Sequence, residues 1–180
     1  MTTIGILSDT HIRPGGRRQL PPQVFTAFEG VDLIFHAGDL NTLQVVTDLE
    51  NIAPVLAVPG NNDDWDVMSA LPPTRTVEIE RCIIGLAHGD RPNPEAHTKA
   101  RDTAECALSH FRGVDCVVFG HSHWPLIHWR RLPGIGRTER DGMVLLFNPG
   151  SPTDRRRAPH FSCGLLRVDG RHIDASLTTW

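Results

Sequence analysis

Five points along the 180-residue chain carry side chains able to bind a hard or borderline metal ion: Asp9 with His11, Asp39, Asn61, His88, and His121 with His123. Carboxylate, imidazole and amide donors without a thiolate favour manganese, iron, zinc, nickel or magnesium and disfavour a structural zinc cluster. These seven residues exceed what one ion takes up. Two ions sharing one carboxylate accommodate them, each with about five or six donors once a water or hydroxide is counted. Taken singly the motifs carry little weight, because D-x-H and G-D arise often by chance and a histidine after a strand is more often packed or solvated than metal-bound. The pair in Gly120-His121-Ser122-His123 is more specific, since residues two apart in a glycine turn can project to the same side.

Each of these points follows an apolar run of strand length. Val31 to Leu40 (VDLIFHAGDL) reads as a buried strand whose backbone turns at Gly38 and delivers Asp39 to the strand's carboxyl end, where open α/β sheets place their ligand-binding residues. Thr3 to Leu7 does the same for Asp9 and His11, Val55 to Val58 for Asn61, Cys82 to Ala87 for His88, and Val114 to Phe119 for His121 and His123. Between them, helices are expected after Pro21-Pro22, over Asn41 to Glu50 with Asn41 as N-cap, and over Pro94 to Phe111. The β-α-β-α-β alternation as far as Val58 implies a parallel sheet. Thr74 to Glu80 and Cys82 to Ala87 read as an antiparallel pair, and Asp64 to Ser69 as loop. Strand patterning in Pro125 to Arg131, Gly142 to Phe147, Phe161 to Val168 and His172 to Thr178 points to a second, mostly antiparallel sheet.

Length and composition bound the rest. The chain suits a single domain, 1–180, able to bury roughly 70% of the surface its unfolded form exposes. Its four cysteines show no CxxC spacing and three lie in apolar segments, which suits buried hydrophobes in a reducing compartment. The first apolar run lacks a preceding basic region and is too short for a leader or a membrane span, so a cytoplasmic protein with no membrane partner is expected. A formal charge of −3 argues against nucleic acid as a partner. Of the 18 basic residues only Lys99 is lysine, a bias that reads as genome composition. Arg13, Arg17, Arg18 and Arg155 to Arg157 are read as solvated surface or subunit contact, and Trp65, Trp124 and Trp129 as core or interface.

The ordered set D-x-H, GD, GN-x-D, H and GHxH, each after an expected strand, resembles the calcineurin-like metallophosphoesterase superfamily. The chain's small size and Asn148-Pro149-Gly150-Ser151 (NPGS) resemble its compact bacterial and archaeal YfcE-like phosphodiesterases. The resemblance implies an α/β fold, a four-layer α/β/β/α sandwich of two mixed sheets flanked by helices. It also implies one metal on Asp9, His11 and His123, another on Asn61, His88 and His121, and Asp39 as the shared bridge. Asp39, Asn61 and His88 are the residues expected to carry catalysis. Asp63, Asn62 and His36, which flank ligands in sequence, are expected at most to orient them.

The function so implied is hydrolysis of a small phosphodiester by in-line attack of a metal-bridging hydroxide, with two divalent ions, manganese first and iron, nickel, zinc or magnesium as alternatives. The partner is a small phosphate ester, and relatives of this kind form homo-oligomers. One position departs from the pattern: nuclease and protein-phosphatase branches carry histidine where this chain has Asn62, and an amide cannot act as a general acid at neutral pH. The alternatives are a non-catalytic scaffold like the retromer subunit of this fold, or a nuclease or phosphomonoesterase.

Overall fold

The computed structural model describes residues 1–94, 102–131 and 142–180. Strands β1 (Thr2–Leu7), β2 (Leu33–Ala37) and β3 (Val55–Val58) pair in parallel, as their continuous apolar sequences require, with Ile6 opposite Phe35 and Phe35 opposite Leu56. Helix α1 (Pro22–Ala27) connects the first pair and α2 (Gln44–Glu50) the second.

Helix α3 (Trp65–Ala70) then leads into a second sheet that opens with the hairpin of β4 (Thr74–Ile79) and β5 (Cys82–Ala87). After α4 (Thr103–Leu108), β6 (Cys116–Val118) runs parallel to β5. Strand β7 (Leu126–Arg131) lies at the edge, and β8 (Met143–Asn148) sits between β6 and β7. The last strands, β9 (Ser162–Asp169) and β10 (His172–Thr179), return to the first sheet, where β9 pairs antiparallel with β1. The sheet orders are β10-β9-β1-β2-β3 and β4-β5-β6-β8-β7.

Three buried clusters make four layers out of these elements. Ile4, Ile6, Phe35 and Val58 of one sheet meet Ile84, Leu86, Leu145 and Phe147 of the other between the sheets. Val24, Phe28, Leu49 and Val67 of the first three helical segments cover the outer face of the first sheet, and Ala104, Ala107 and Phe111 cover the second. The carboxyl ends of β1, β2, β3, β5 and β6 consequently open toward one rim, and every candidate ligand lies just beyond one of them. None of the described helices is long and apolar enough to cross a membrane.

Several local expectations change. The last third does not make a sheet of its own: β7 and β8 extend the second sheet while β9 and β10 complete the first. Strand pattern specifies pleating, but partner choice depends on which edge is free, and here β1 and β6 each offer one. Of Asp64 to Ser69, expected as loop, all but Asp64 lie in α3, whose Val67 is buried against the first sheet. Asn41 does not cap α2, which begins at Gln44, because its side chain is used elsewhere. Of the helix expected over Pro94 to Phe111, α4 accounts for Thr103–Leu108, capped by Asp102 through the Ala104 and Glu105 amides, and residues 95–101 lie outside the described set. The four cysteines are buried and none is in a disulfide, as expected. Trp129 packs against the inter-sheet core, whereas Trp65 and Trp124 are exposed.

Candidate metal centre

The β1 and β2 ladder continues past the strands themselves. Asp9 N donates to Gly38 O, His11 N to Asp39 O and Ile12 N to Leu40 O, so the two loops that carry Asp9, His11 and Asp39 are zipped together. Gly120 N donates to His88 O in the same way, joining the loops of the second sheet. His121 N reaches across to Asp9 Oδ2 at 3.0 Å and ties one sheet's rim to the other's.

The backbone conformation at these points is unusual. Asp9, His11, Asp39, His121 and His123 all have positive φ, between 46° and 66°, a region that costs a residue with a Cβ roughly 1–2 kcal/mol. Five of the eight such non-glycine residues among those described are candidate ligands, so the strain is concentrated where side chains must turn inward.

The side chains converge. His123 Nε2 lies 3.2 Å from Asp9 Oδ1, and His11 Nε2 lies 3.1 Å from His123 Nε2. Asp39 Oδ2 stands between the two halves, 3.5 Å from His11 Nε2 and 3.4 Å from His88 Nε2. His121 packs edge-on against His88, with ring centroids 5.2 Å apart. Asn61 is exposed in the turn from Gly60 to Asp63, and it is the neighbouring Asn62 that donates to Asp39, from its backbone at 2.8 Å and its amide at 2.7 Å.

Three imidazoles are oriented by oxygen acceptors on their far side. His88 Nδ1 donates to Ala37 O at 2.8 Å, His123 Nδ1 to Asp154 O, and His11 Nδ1 to Asn41 Oδ1 at 3.2 Å. Asn41's amide nitrogen donates to Asn62 O, which fixes its oxygen toward His11. With their protons on Nδ1, His11 and His123 turn two Nε2 lone pairs toward each other, an arrangement that a cation between them relieves. Asp9 Oδ1 and His88 Nε2 are buried without an aligned hydrogen-bond partner. The donor types and these orphaned atoms fit divalent metal, and among the described residues two groups of side chains are close enough to hold an ion: Asp9, His11 and His123, and Asp9, Asp39 and His88.

Electrostatics follow from burial and pairing. Burial opposes ionisation of Asp39, but the His88 ring and the Asn62 donors outweigh it and hold the carboxyl well below the ordinary range. Burial likewise opposes ionisation of Asp9, and His123 and His88 overcome it. Burial lowers His11 and His121, keeping them in the neutral, ligating form. His88 resists burial and, beside Asp39 and Asp9, is raised to about 9.

The supporting residues were only partly expected. Asp63 accepts from the Asp39, Asn41 and Gly60 amides and so shapes the turn that presents Asp39. His36 is fully buried and its Nε2 meets Thr10 Oγ1 at 3.1 Å. The NPGS segment acts as a brace: Asn148 Nδ2 donates to Gly120 O, Ser8 Oγ to Gly150 O, and Ser151 Oγ to Asp9 O. Asn41, Asp154 and Ser151 were missed because their contacts run over 30 or more residues and no spacing rule records them.

Two glycines of the motifs are needed for space. A Cβ on Gly60 would lie 2.2 Å from Asp39 Oδ1 and 2.6 Å from Asp39 N, and one on Gly38, where φ is 90°, would lie 2.7 Å from His88 Nδ1. Gly60→Ala is therefore expected to displace Asp39, weakening metal binding roughly tenfold or more and costing about 1–3 kcal/mol of stability. Manganese titration calorimetry and thermal melts measure the two losses, and wild-type behaviour in both would show that the turn yields freely.

The family model described as "Calcineurin-like phosphoesterase superfamily domain" matches residues 2–171. A protein of Methanothermobacter thermautotrophicus named "Probable metallophosphoesterase" is 40% identical over 174 residues, covering 97% of this chain and 90% of that one. The phosphodiesterase MJ0936 of Methanocaldococcus jannaschii is 29% identical over 161 residues, 82% of each chain. Among solved structures, Vps29 of Entamoeba histolytica complexed with zinc matches with a TM-score of 0.69 at 19% identity over 99% of both chains. A structure of an archaeal phosphodiesterase matches with a TM-score of 0.60 at 23% identity, over 98% of this chain and 100% of that one. Both structural likenesses speak to the fold.

Proposed function

Because this chain belongs to the calcineurin-like phosphoesterase superfamily, we propose that it is a dinuclear metal-dependent phosphodiesterase acting on a small phosphodiester. The observation that carries this reading is the convergence of two buried carboxylates and four histidines on one rim, with Asp39 Oδ2 nearly equidistant from His11 and His88. The curated relatives named as metallophosphoesterases and as a phosphodiesterase support it.

In this proposal Asp9, His11 and His123 hold one divalent ion, Asn61, His88 and His121 the other, and Asp39 both. Bound divalent ions neutralise phosphoryl oxygens and acidify water for attack at phosphorus. The protein's own part is positional. Ala37 O, Asn41 and Asp154 fix the imidazoles, Asp63 shapes the Asp39 turn, and Asn62 holds both carboxylate oxygens of Asp39. Asn62 orients and does not protonate, so the preferred substrates are those whose leaving group departs without a strong acid. The donor set without thiolate suits manganese, with iron, nickel, zinc or magnesium as alternatives.

Two cavities flank the centre, which supports a diester over a monoester. One of about 390 Å³ opens beside His11 and Asn62, and one of about 190 Å³ beside His88, Gly60 and Met68, one for each arm of the phosphate. Metal-stripped protein is expected to leave bis-p-nitrophenyl phosphate intact, to hydrolyse it once manganese is added, and to prefer it to p-nitrophenyl phosphate. Absence of metal-dependent turnover would overturn the enzyme reading in favour of a scaffold, and a preference for the monoester would overturn diesterase specificity.

A further inference from the structure

The larger of the two cavities is lined by four arginines from two distant segments: Arg13, Arg17 and Arg18 of the loop after His11, and Arg156 beyond the NPGS brace. The loop is built to gather them. Gly15 has φ of 71° and Gly16 N donates back to Arg13 O at 3.0 Å, a tight turn that sets Arg13 and Arg17 on either side of it. Arg156 has φ of 45°, a left-handed conformation that an arginine adopts only when its surroundings impose it.

Charge balance inside the cavity is incomplete. Arg18 lies 3.4 Å from Asp154 Oδ2, whereas Arg13, Arg17 and Arg156 form no ion pair among the described residues. The chain as a whole carries a formal charge of −3. Like charges held around one concavity repel, and in an acidic protein a purely solvated set has no reason to collect there. A planar guanidinium matches a phosphate bidentately, and at about 390 Å³ the cavity exceeds a lone phosphate and accommodates a sugar-sized linker as well.

We propose that this arginine-lined cavity is a subsite for a second, uncleaved phosphate on the substrate, so that the protein selects small phosphodiesters whose one arm ends in a phosphate. The identity of the cleaved group rests on the diesterase reading above; the anion subsite does not. The cavity continues directly from His11 and Asn62, so a phosphate held by Arg17 and Arg156 places the linking sugar-sized unit against the metal centre.

The test uses binding and turnover separately. Thymidine 3′,5′-bisphosphate is titrated calorimetrically into metal-free wild type and into the Arg17→Gln/Arg156→Gln double variant. Wild type is expected to bind at least roughly tenfold more tightly, since charge-assisted contacts are lost. Arg157→Gln, exposed and outside the cavity lining, is the control for bulk charge. Equal binding by wild type and double variant, or an equal loss in the Arg157→Gln control, would overturn the subsite. With manganese-loaded protein, the ratio of kcat/KM for the 5′-p-nitrophenyl ester of thymidine 3′,5′-bisphosphate to that for the ester lacking the 3′-phosphate is expected to fall in the double variant. An unchanged ratio would overturn the selectivity, and faster cleavage of an oligothymidylate would overturn the small-molecule assignment. If neither ester is hydrolysed by wild type, the diesterase reading fails, and the calorimetric difference alone decides the subsite.

Discussion

Asp39→Asn is expected to abolish two-ion occupancy and to lower phosphodiester turnover at least about a thousandfold, equivalent to about 4 kcal/mol of transition-state stabilisation. Asp39 Oδ2 faces histidines of both halves, His11 at 3.5 Å and His88 at 3.4 Å, while Asp9 lies close to the same two groups. The substitution keeps the shape and removes the charge. It also sets an amide nitrogen against the Asn62 donors that now reach both carboxylate oxygens, so one of those hydrogen bonds is lost. The loop itself is anchored independently, by Asp39 N on Asp63 and by His11 N on Asp39 O, and the fold is therefore retained. Elemental analysis showing two ions per chain, with turnover near wild type, would remove Asp39 from the role of bridge.

The second large effect concerns protons. In the metal-free protein His88 is raised to about 9, because Asp39 and Asp9 favour its charged form more strongly than burial disfavours it. A metal must displace that proton, so its affinity should rise close to tenfold per pH unit up to about pH 9. The same shift is linked to stability: a histidine that gains affinity for protons on folding stabilises the native state fully below its unfolded pKa of about 6.5 and loses that contribution as pH rises through the folded value. The loss amounts to roughly 3 kcal/mol between about pH 6.5 and 9. His36 works in the opposite direction, since burial lowers it to about 3, and stability falls as pH drops below about 6.5 because only the unfolded chain takes up that proton. Metal-free protein should accordingly melt highest near pH 6.5. Metal-loaded protein should not show the alkaline decline, and His88→Ala should abolish that decline in the metal-free state as well. An alkaline decline of equal size in His88→Ala would assign it to another group.

Much of the architecture is readable from the chain because the apolar runs are short, uninterrupted and each broken by glycine or a polar cluster. The three parallel strands β1 to β3, the β4 and β5 hairpin and the carboxyl-end positions of Asp9, Asp39, His88, His121 and His123 follow from that pattern. The return of β9 and β10 to the first sheet does not, since alternation defines a strand's faces and leaves its neighbour open. Asn41 illustrates a different limit. Its place before a helical run invites a capping role, yet it has φ of 68° and holds His11, a contact set by the zipped β1 and β2 loops.

Residue types and their order along the chain determined the chemistry on offer, because a donor set of carboxylate, imidazole and amide is fixed by composition. Only the tertiary structure decided how those donors are aimed. The positive-φ turns, the carbonyl acceptors behind His88 and His123, the NPGS brace and the gathering of Arg156 beside Arg13 and Arg17 all join segments far apart in sequence. Such contacts depend on how two sheets stack and which strand ends share a rim, and no local periodicity encodes that distance.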